Sequence, residues 1–248
     1  MSFILGFGLY GSTFIIPLYT QSLLGWTAYQ SGMLMIPASL TTAFMMPIVG
    51  KLISKGVPQN YMVAAGLLLF FVYSFWGYKI ITPDTGQDNF FWMLIVRGVG
   101  LSLLFIPITT MALSTLKGQQ IGQGAAFTGM MRQLGGSFGV AAITVFMSNR
   151  NSLYRSDLIS NLNVNDLDVQ QRVGAMQQSF MGKGMSPDVA LNSAYKALDF
   201  AVTKQATVLS YMDVFLYLGV LFLICIPFIL MVRNKKRKEA IDMSAAMH

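Results

Sequence analysis

The chain has 248 residues, of which 54% are hydrophobic and only 11% are charged, and its formal net charge is +7. An ordinary soluble domain contains about 25% charged residues, so this composition excludes a soluble globular protein and indicates an integral membrane protein. The positive charge does not indicate nucleic-acid binding, because much of it lies in one run, residues 233–238, directly after the last apolar segment. We therefore expect the lipid bilayer, and no nucleic acid, as the surroundings of the chain.

Six apolar segments are long enough to cross a bilayer, which requires about 20 residues. We place the transmembrane helices at 3–24, 30–53, 61–82, 90–115, 125–147 and 210–232. The connections after the first four are short and contain turn residues, so successive helices form antiparallel hairpins. The chain is thus divided into five transmembrane helices in 1–147, an extracytoplasmic loop in 148–209, a sixth transmembrane helix in 210–232 and a basic cytoplasmic tail in 233–248.

The loop at 148–209 is too polar to cross the membrane, and we expect it to be partly helical. Ser186-Pro187-Asp188 is typical of a helix start, with a capping serine, proline at the first helical position and an acid in the first turn. Apolar residues then recur at helical spacing, which predicts an amphipathic external helix leading into the last span.

Loop charges give the orientation. The basic tail and the lysines of the predicted inner loops, Lys51, Lys55 and Lys117, indicate an inner-membrane protein with both termini in the cytoplasm. A weak internal repeat is also visible, because a glycine followed by a central proline occurs in the first span, at Gly8 and Pro17, and again in the fourth, at Gly100 and Pro107. The two copies are three spans apart, so the second crosses the membrane in the opposite direction. We therefore predict an all-α membrane fold with an inverted 3+3 repeat.

Three charged residues lie clearly within predicted spans, where charge is costly and usually functional: Arg97, Arg132 and Asp213. Lys51, near the end of its span, can reach the inner interface. For Arg97 and Asp213 two interpretations are open. Each side chain either reaches headgroups or an external loop partner, or the two pair and rearrange during gating. Arg132 is either an interfacial anchor or a residue of the inner gate or of an interface with another half of the protein.

Other candidates for a substrate cavity or gate are polar or conformationally special. Tyr10, Tyr19 and Gln21 either line a polar cavity or belong to the interfacial aromatic belt, and Gln133 follows Arg132 directly. Gly135 and Gly139 form a small-residue packing face. Helix bends are expected at Pro17, Pro37 and Pro107.

Catalytic and metal sites are not expected. The single cysteine, Cys225, and the single histidine, His248, exclude thiolate or imidazole metal clusters and histidine-based triads. The sequence also contains no phosphate-binding loop for ATP. We expect no enzyme activity and no cofactor, so transport would draw on an ion gradient or on the gradient of the substrate itself.

Several runs resemble the C-terminal domain of the 14-span drug:proton antiporters of the EmrB/QacA type, in the major facilitator superfamily. They include Ile16-Pro17-Leu18-Tyr19-Thr20-Gln21 and, most specifically, Arg132-Gln133-Leu134-Gly135-Gly136-Ser137. The resemblance implies secondary active export of amphipathic small molecules in exchange for protons, by alternating access. For Gram-negative members it also implies a periplasmic adaptor and an outer-membrane channel, which would contact residues 148–209.

Two departures from the family limit this expectation. Ser54 stands where the inner loop of the superfamily has an acid, and Asp213 is the only acid in a predicted span. The family has eight further spans before this region. We therefore expect a half that is inactive without a separate N-terminal half. Two alternatives stay open: a half-transporter of the same fold for a defined metabolite, and a truncated membrane protein that does not transport.

Overall fold

The computed structural model of the protein describes residues 2–82, 86–114, 116, 118–162 and 166–231. Over these ranges the chain forms α-helices and no β-strand. The helices are α1 (Ser2–Ser22), α2 (Ala28–Ser54), α3 (Gln59–Ile80), α4 (Gln87–Leu113), α5 (Gln120–Ser160), α6 (Leu167–Met181) and α7 (Pro187–Met231). The all-α membrane fold predicted from composition is confirmed. The basic tail and Lys117, which determined the predicted orientation, lie outside the described residues.

Local sequence explains how the first hairpin turns. Gly25 has a φ of +69°, which glycine adopts without strain, and it lies in the turn between α1 and α2. Thr27 then caps α2. Its hydroxyl accepts from the Gln30 backbone N–H at 3.3 Å, while the Gln30 side chain accepts from the Thr27 N–H at 2.9 Å.

Five of these helices are long and apolar enough to cross a membrane: α1, α2, α3, α4 from Asp88, and α7. The predicted fifth span, 125–147, lies within α5, which is more polar than the other five because it carries glycines and the Arg132-Gln133 pair. It nevertheless packs lengthwise between α1 and α7. Its crossing of the membrane remains the prediction from sequence.

Helices occupy most of the segment predicted as an external loop. α5 continues past residue 147 to Ser160, and α7 begins at Pro187, where the Ser186-Pro187-Asp188 pattern predicts a helix start. The shorter α6 packs against α7. At about 1.5 Å per residue, the extension of α5 alone projects about 20 Å beyond its predicted span. We use the name projecting helices for the helical parts of the segment 148–209: residues 148–160 of α5, the whole of α6, and residues 187–209 of α7.

Helix neighbours follow the predicted repeat. In that repeat α4 is the counterpart of α1, and α5 is the counterpart of α2. The contact of α1 with α5 is therefore matched by the contact of α4 with α2. α3 packs against both α4 and α7, and aromatic rings fill that contact. Phe70 on α3 and Phe222 on α7 have ring centroids 5.0 Å apart.

Candidate functional site

A buried arginine lies in the middle of the bundle. Arg97 on α4 exposes only 4% of its surface. Its Nε donates to the Ser12 hydroxyl at 3.2 Å, and its Nη2 donates to the Thr13 hydroxyl. Ser12 and Thr13 occupy the centre of α1, about 15 Å from either end of that helix at 1.5 Å per residue. The guanidinium therefore points inward to α1, and the interpretation that Arg97 reaches headgroups or an external loop is wrong.

A buried tyrosine lies on the neighbouring helix. Tyr73 is fully buried on α3, which packs against α4. Its hydroxyl has no hydrogen-bond partner among the described residues. Arg97 is also absent from the two ion pairs found in the described ranges, which are Arg150–Asp213 and Arg155–Asp199. We call Arg97, Ser12 and Thr13 the arginine site.

The arginine site borders an open polar face. Tyr10, Thr13 and Gln21 are exposed and lie along one side of α1, because steps of three or four residues return to the same side of a helix. The Tyr10 hydroxyl donates to the Gln133 side-chain oxygen on α5 at 3.0 Å. No helix in the described part of the chain covers this side of α1. The structure thus brings the predicted residues Tyr10 and Gln133 together and places them on the face that also exposes Thr13.

Tyr19 belongs to the core instead. It is 1% exposed, its hydroxyl donates to the Thr82 carbonyl at 2.6 Å, and its ring packs edge-on against Tyr211. The prediction that Tyr19 lines a polar cavity is therefore wrong. The reason is geometric. Nine residues separate it from Tyr10, and at 3.6 residues per turn the two tyrosines point to opposite sides of α1.

Arg132 stacks on an aromatic ring. Its guanidinium carbon lies 4.6 Å from the centroid of Phe105 on α4, a cation–π contact between α5 and α4. The side chain is partly exposed. The Arg132 backbone carbonyl faces Gly6, where any side chain would collide with it.

Glycines allow α1 and α5 to pack backbone to backbone. A Cβ at Gly135 would overlap the Phe3 carbonyl, and one at Gly139 would lie 2.8 Å from the Phe7 carbonyl oxygen. The predicted small-residue face of α5 thus lies directly on α1. Sequence reasoning missed Gly6, which makes the reciprocal contact from α1.

Asp213 on α7 is held by the projecting part of α5. Its carboxylate accepts from Arg150 Nε at 3.1 Å and from the Tyr154 hydroxyl at 2.8 Å. Partial burial, together with the bond to Asp213, raises the pKa of Tyr154. Asp213 therefore has its partners in the part of α5 beyond residue 147 and does not pair with Arg97 in this structure.

The three predicted bend prolines lie inside continuous helices: Pro17 in α1, Pro37 in α2 and Pro107 in α4. Neighbouring threonine hydroxyls donate to the carbonyls of these prolines, at 2.7 Å from Thr41 to Pro37 and at 3.0 Å from Thr110 to Pro107. These are the side-chain bonds that threonine commonly makes to a carbonyl of the preceding turn inside a helix.

Sequence reasoning did not single out Ser12, Thr13 or Tyr73. A signal existed for the first two, because adjacent hydroxyl residues in the centre of an apolar span indicate a polar partner on a neighbouring helix. Tyr73 carried no such signal, since tyrosines are common throughout the spans.

Comparison with known proteins gives the family. Residues 1–140 match the Major Facilitator Superfamily. The chain is 29% identical to the uncharacterized MFS-type transporter YhcA of Bacillus subtilis, over 99% of this chain and 47% of that protein. It is 25% identical to the fatty acid resistance protein FarB of Neisseria gonorrhoeae, over 91% of this chain and 43% of that protein. It is 24% identical to the multidrug export protein EmrB of Escherichia coli, over 87% of this chain and 40% of that protein.

The chain spans less than half the length of these three relatives. The predicted resemblance to the exporters of this superfamily is confirmed by the matches to EmrB and its relatives. With its all-α architecture and its membrane-spanning helices, the chain belongs to the major facilitator superfamily of membrane transporters.

Proposed function

We propose that this chain is the C-terminal six-span half of a secondary active multidrug exporter, which exchanges amphipathic compounds for protons by alternating access. The observation that carries the proposal is the polar face of α1, with Arg97 bonded to it at mid-membrane depth. Tyr10, Thr13 and Gln133 would be poorly solvated by lipid. A water-filled substrate cavity facing these residues resolves that conflict.

Exposed apolar surface supports the need for a second half. α1 contacts α2 on one side and α5 on another, so their free faces flank the polar face. Both carry rows of large exposed apolar side chains, at Tyr29, Met33, Ile36, Leu40 and Phe44 on α2, and at Phe127, Met130, Leu134 and Phe138 on α5. An N-terminal half seated on these rows would enclose the cavity, which agrees with relatives more than twice as long.

Proton coupling would come from that N-terminal half. Among the described residues of the spans, the acid Asp213 is already engaged by Arg150 and Tyr154. The arginine site holds no carboxylate from the described part of the chain. A proton-carrying acid must then be supplied from elsewhere, so we propose that this chain alone does not transport.

Further parts of the proposal follow from the family. The protein would lie in the inner membrane with both termini in the cytoplasm. The projecting helices would then lie outside, where a periplasmic adaptor leading to an outer-membrane channel could contact them. The names of two relatives, fatty acid resistance and multidrug export, support amphipathic small molecules as the candidate substrates.

A dye-efflux assay tests the proposal. Cells without other major exporters would express this chain alone, or this chain with an N-terminal half, and would be loaded with ethidium. We expect export only from the combination, and loss of export on adding an uncoupler. Export by the chain alone would contradict the claim that it is an inactive half, and uncoupler-insensitive export would contradict proton coupling.

A further inference from the structure

A cavity of about 420 Å³ lies between α2 and α4, beside the starts of both helices. Its floor is the place where the two backbones touch: a Cβ at Gly98 would lie 2.6 Å from the Ala38 carbonyl oxygen, and the Thr42 hydroxyl donates to the Gly98 carbonyl at 3.1 Å. Ala38 is ten residues after Ala28, where α2 begins, and Gly98 is eleven residues after Gln87, where α4 begins. The two helices therefore run side by side in the same direction, and both begin beside the cavity.

The cavity has an apolar wall and a polar rim. Among the described residues, its lining comes from α2 and α4 alone: Gln30, Met33, Leu34, Pro37, Asp88, Phe91 and Trp92. Gln30 and Asp88 lie nearest to the helix starts, and Pro37 lies about 10 Å further along α2 at 1.5 Å per residue. Since membrane helices end in the interfacial region of the bilayer, the rim lies at headgroup depth and the wall reaches the acyl chains.

This cavity is separate from the polar face of α1. Ser31 marks the side of α2 that faces α1, because its hydroxyl is bonded to the Thr20 hydroxyl at 2.8 Å. Gln30, Leu34 and Pro37 recur at steps of three or four residues and lie along another side of α2. The cavity therefore opens beside α4, toward the membrane, and not toward the space that we propose for transport substrates.

The polar groups of the rim have bonding capacity left. The Asp88 carboxylate forms no ion pair and no hydrogen bond with another described residue, as the two ion pairs of the described ranges lie elsewhere. The Gln30 side-chain oxygen accepts from the Thr27 backbone N–H at 2.9 Å, so its amide NH₂ group is the part left without a described partner. The helix dipole favours an acid in the first turn, but it explains neither the cavity nor the free amide. One cavity thus offers a negative acceptor together with neutral donors.

We propose that this cavity binds an amine-bearing phospholipid, with phosphatidylethanolamine as the preferred species, from the leaflet that surrounds the starts of α2 and α4. The lipid ammonium would donate to the Asp88 carboxylate, and the phosphate would accept from the Gln30 amide. The acyl chains would lie on the apolar wall, where an exposed tryptophan suits interfacial depth. The inference needs only the membrane location of the chain and does not depend on transport.

Charge and donor chemistry decide among the common headgroups. Asp88 is the one charged side chain that the described residues contribute to the cavity, so phosphatidylglycerol would bring a negative phosphate to it without an ammonium. A choline cation could rest on the rings of Phe91 and Trp92, whose centroids lie 5.6 Å apart, but it has no N–H to donate to the carboxylate. The expected order of affinity is therefore ethanolamine, choline, glycerol.

Native mass spectrometry of the purified chain in detergent micelles tests the inference. The chain, alone and joined to an N-terminal half, would be mixed with phosphatidylethanolamine, phosphatidylcholine and phosphatidylglycerol of identical acyl chains. We expect the first site to prefer phosphatidylethanolamine over phosphatidylglycerol about two- to fivefold, the range of an exposed ion pair. Equal affinities would overturn the inference. Loss of the preference in the joined protein would also overturn it, because the second half would then cover the cavity.

An acid substitution locates the effect. Asp88→Asn should make the affinities for phosphatidylethanolamine and phosphatidylglycerol equal. Asp188→Asn is the matched control, because Asp188 is also an exposed acid in the first turn of a helix, α7, and does not line the cavity. Both acids are exposed, so both variants should fold, which thermal unfolding would check. A preference that survives in Asp88→Asn, or that disappears equally in the control, would overturn the inference.

The phosphate contact and the need for acyl chains have their own tests. Gln30→Glu keeps an oxygen for the Thr27 N–H but replaces the amide donors by a negative charge, so all three phospholipids should bind more weakly. Unchanged affinities would overturn the proposed contact with the phosphate. Glycerophosphoethanolamine, the headgroup without acyl chains, should displace little of the bound lipid at equal concentration. Full competition by it would indicate a site for soluble amines and would overturn the assignment to a lipid.

Discussion

The contact between α1 and α5 predicts that one added methyl group will separate the two helices. In Gly135→Ala the new Cβ would overlap the Phe3 carbonyl, which belongs to the backbone of α1 and cannot rotate away. The two helices must shift apart or tilt. Gly129→Ala, on the same helix, is the matched control because nothing lies within 4 Å of the Cβ position there.

The magnitude follows from the pair. Alanine is favoured over glycine inside a helix by about 0.5–1 kcal/mol, and both variants gain this amount. Only Gly135→Ala also suffers overpacking, which typically costs about 1–3 kcal/mol. Since the helix term cancels, Gly135→Ala should be less stable than Gly129→Ala by about 1–3 kcal/mol.

Thermal unfolding in detergent, followed by fluorescence-detected size exclusion, measures this difference. The unfolding temperature of Gly129→Ala should equal or exceed that of the parent protein, and the unfolding temperature of Gly135→Ala should be lower. Equal unfolding temperatures for the two variants would refute the close backbone packing of α1 on α5. A lower stability of Gly129→Ala alone would instead show that its face is covered by the N-terminal half.

Three further predictions concern the projecting helices and the first turn. Asp213→Asn should lower the free energy of unfolding by about 0.5–1 kcal/mol, measured by thermal unfolding. It should also lower the pKa of Tyr154, measured by an absorbance titration. Asp199→Asn is the control and should change neither quantity, because Asp199 belongs to an exposed ion pair. The raised pKa of Tyr154 means that the folded state holds this proton more tightly than the unfolded chain. Its contribution to stability is complete below pH 10 and disappears as pH rises through the folded pKa, and Tyr154→Phe should abolish that part of the loss. Gly25→Ala should cost about 1–2 kcal/mol because its φ is positive, whereas Gly32→Ala, within α2, should not destabilise.

Composition and the length of apolar runs predict the membrane helices well because both depend on the surrounding lipid. They do not depend on which helices pack against each other. The segment after the predicted fifth span shows where such prediction fails. Residues 148–160 are polar, so hydropathy ends the fifth span at 147, yet the backbone continues as helix to Ser160. Arg150 and Tyr154 explain the continuation, because both bind Asp213 on the neighbouring helix. Such a tertiary contact is not visible in a local window.

The candidate site could be predicted only in part, for a related reason. An arginine inside a span makes Arg97 a candidate functional residue, but its partners depend on which side of α1 faces α4. One sequence does not contain that information. Helical periodicity would have placed Tyr10 and Tyr19 on opposite sides of α1, and the structure shows one at the polar face and the other in the core.

α5 connects the polar face to the projecting helices. It is one continuous helix of 41 residues, about 60 Å long at 1.5 Å per residue. In its first half its glycines lie against α1 and Gln133 binds Tyr10, and in its second half Arg150 binds Asp213. Glycine contacts permit sliding because no side chains interlock, whereas the ion pair and the Tyr154 bond fix α5 to α7. A movement of α1 at the polar face should therefore change the α1–α5 contact first, while α5 and α7 move together as one body with the projecting helices.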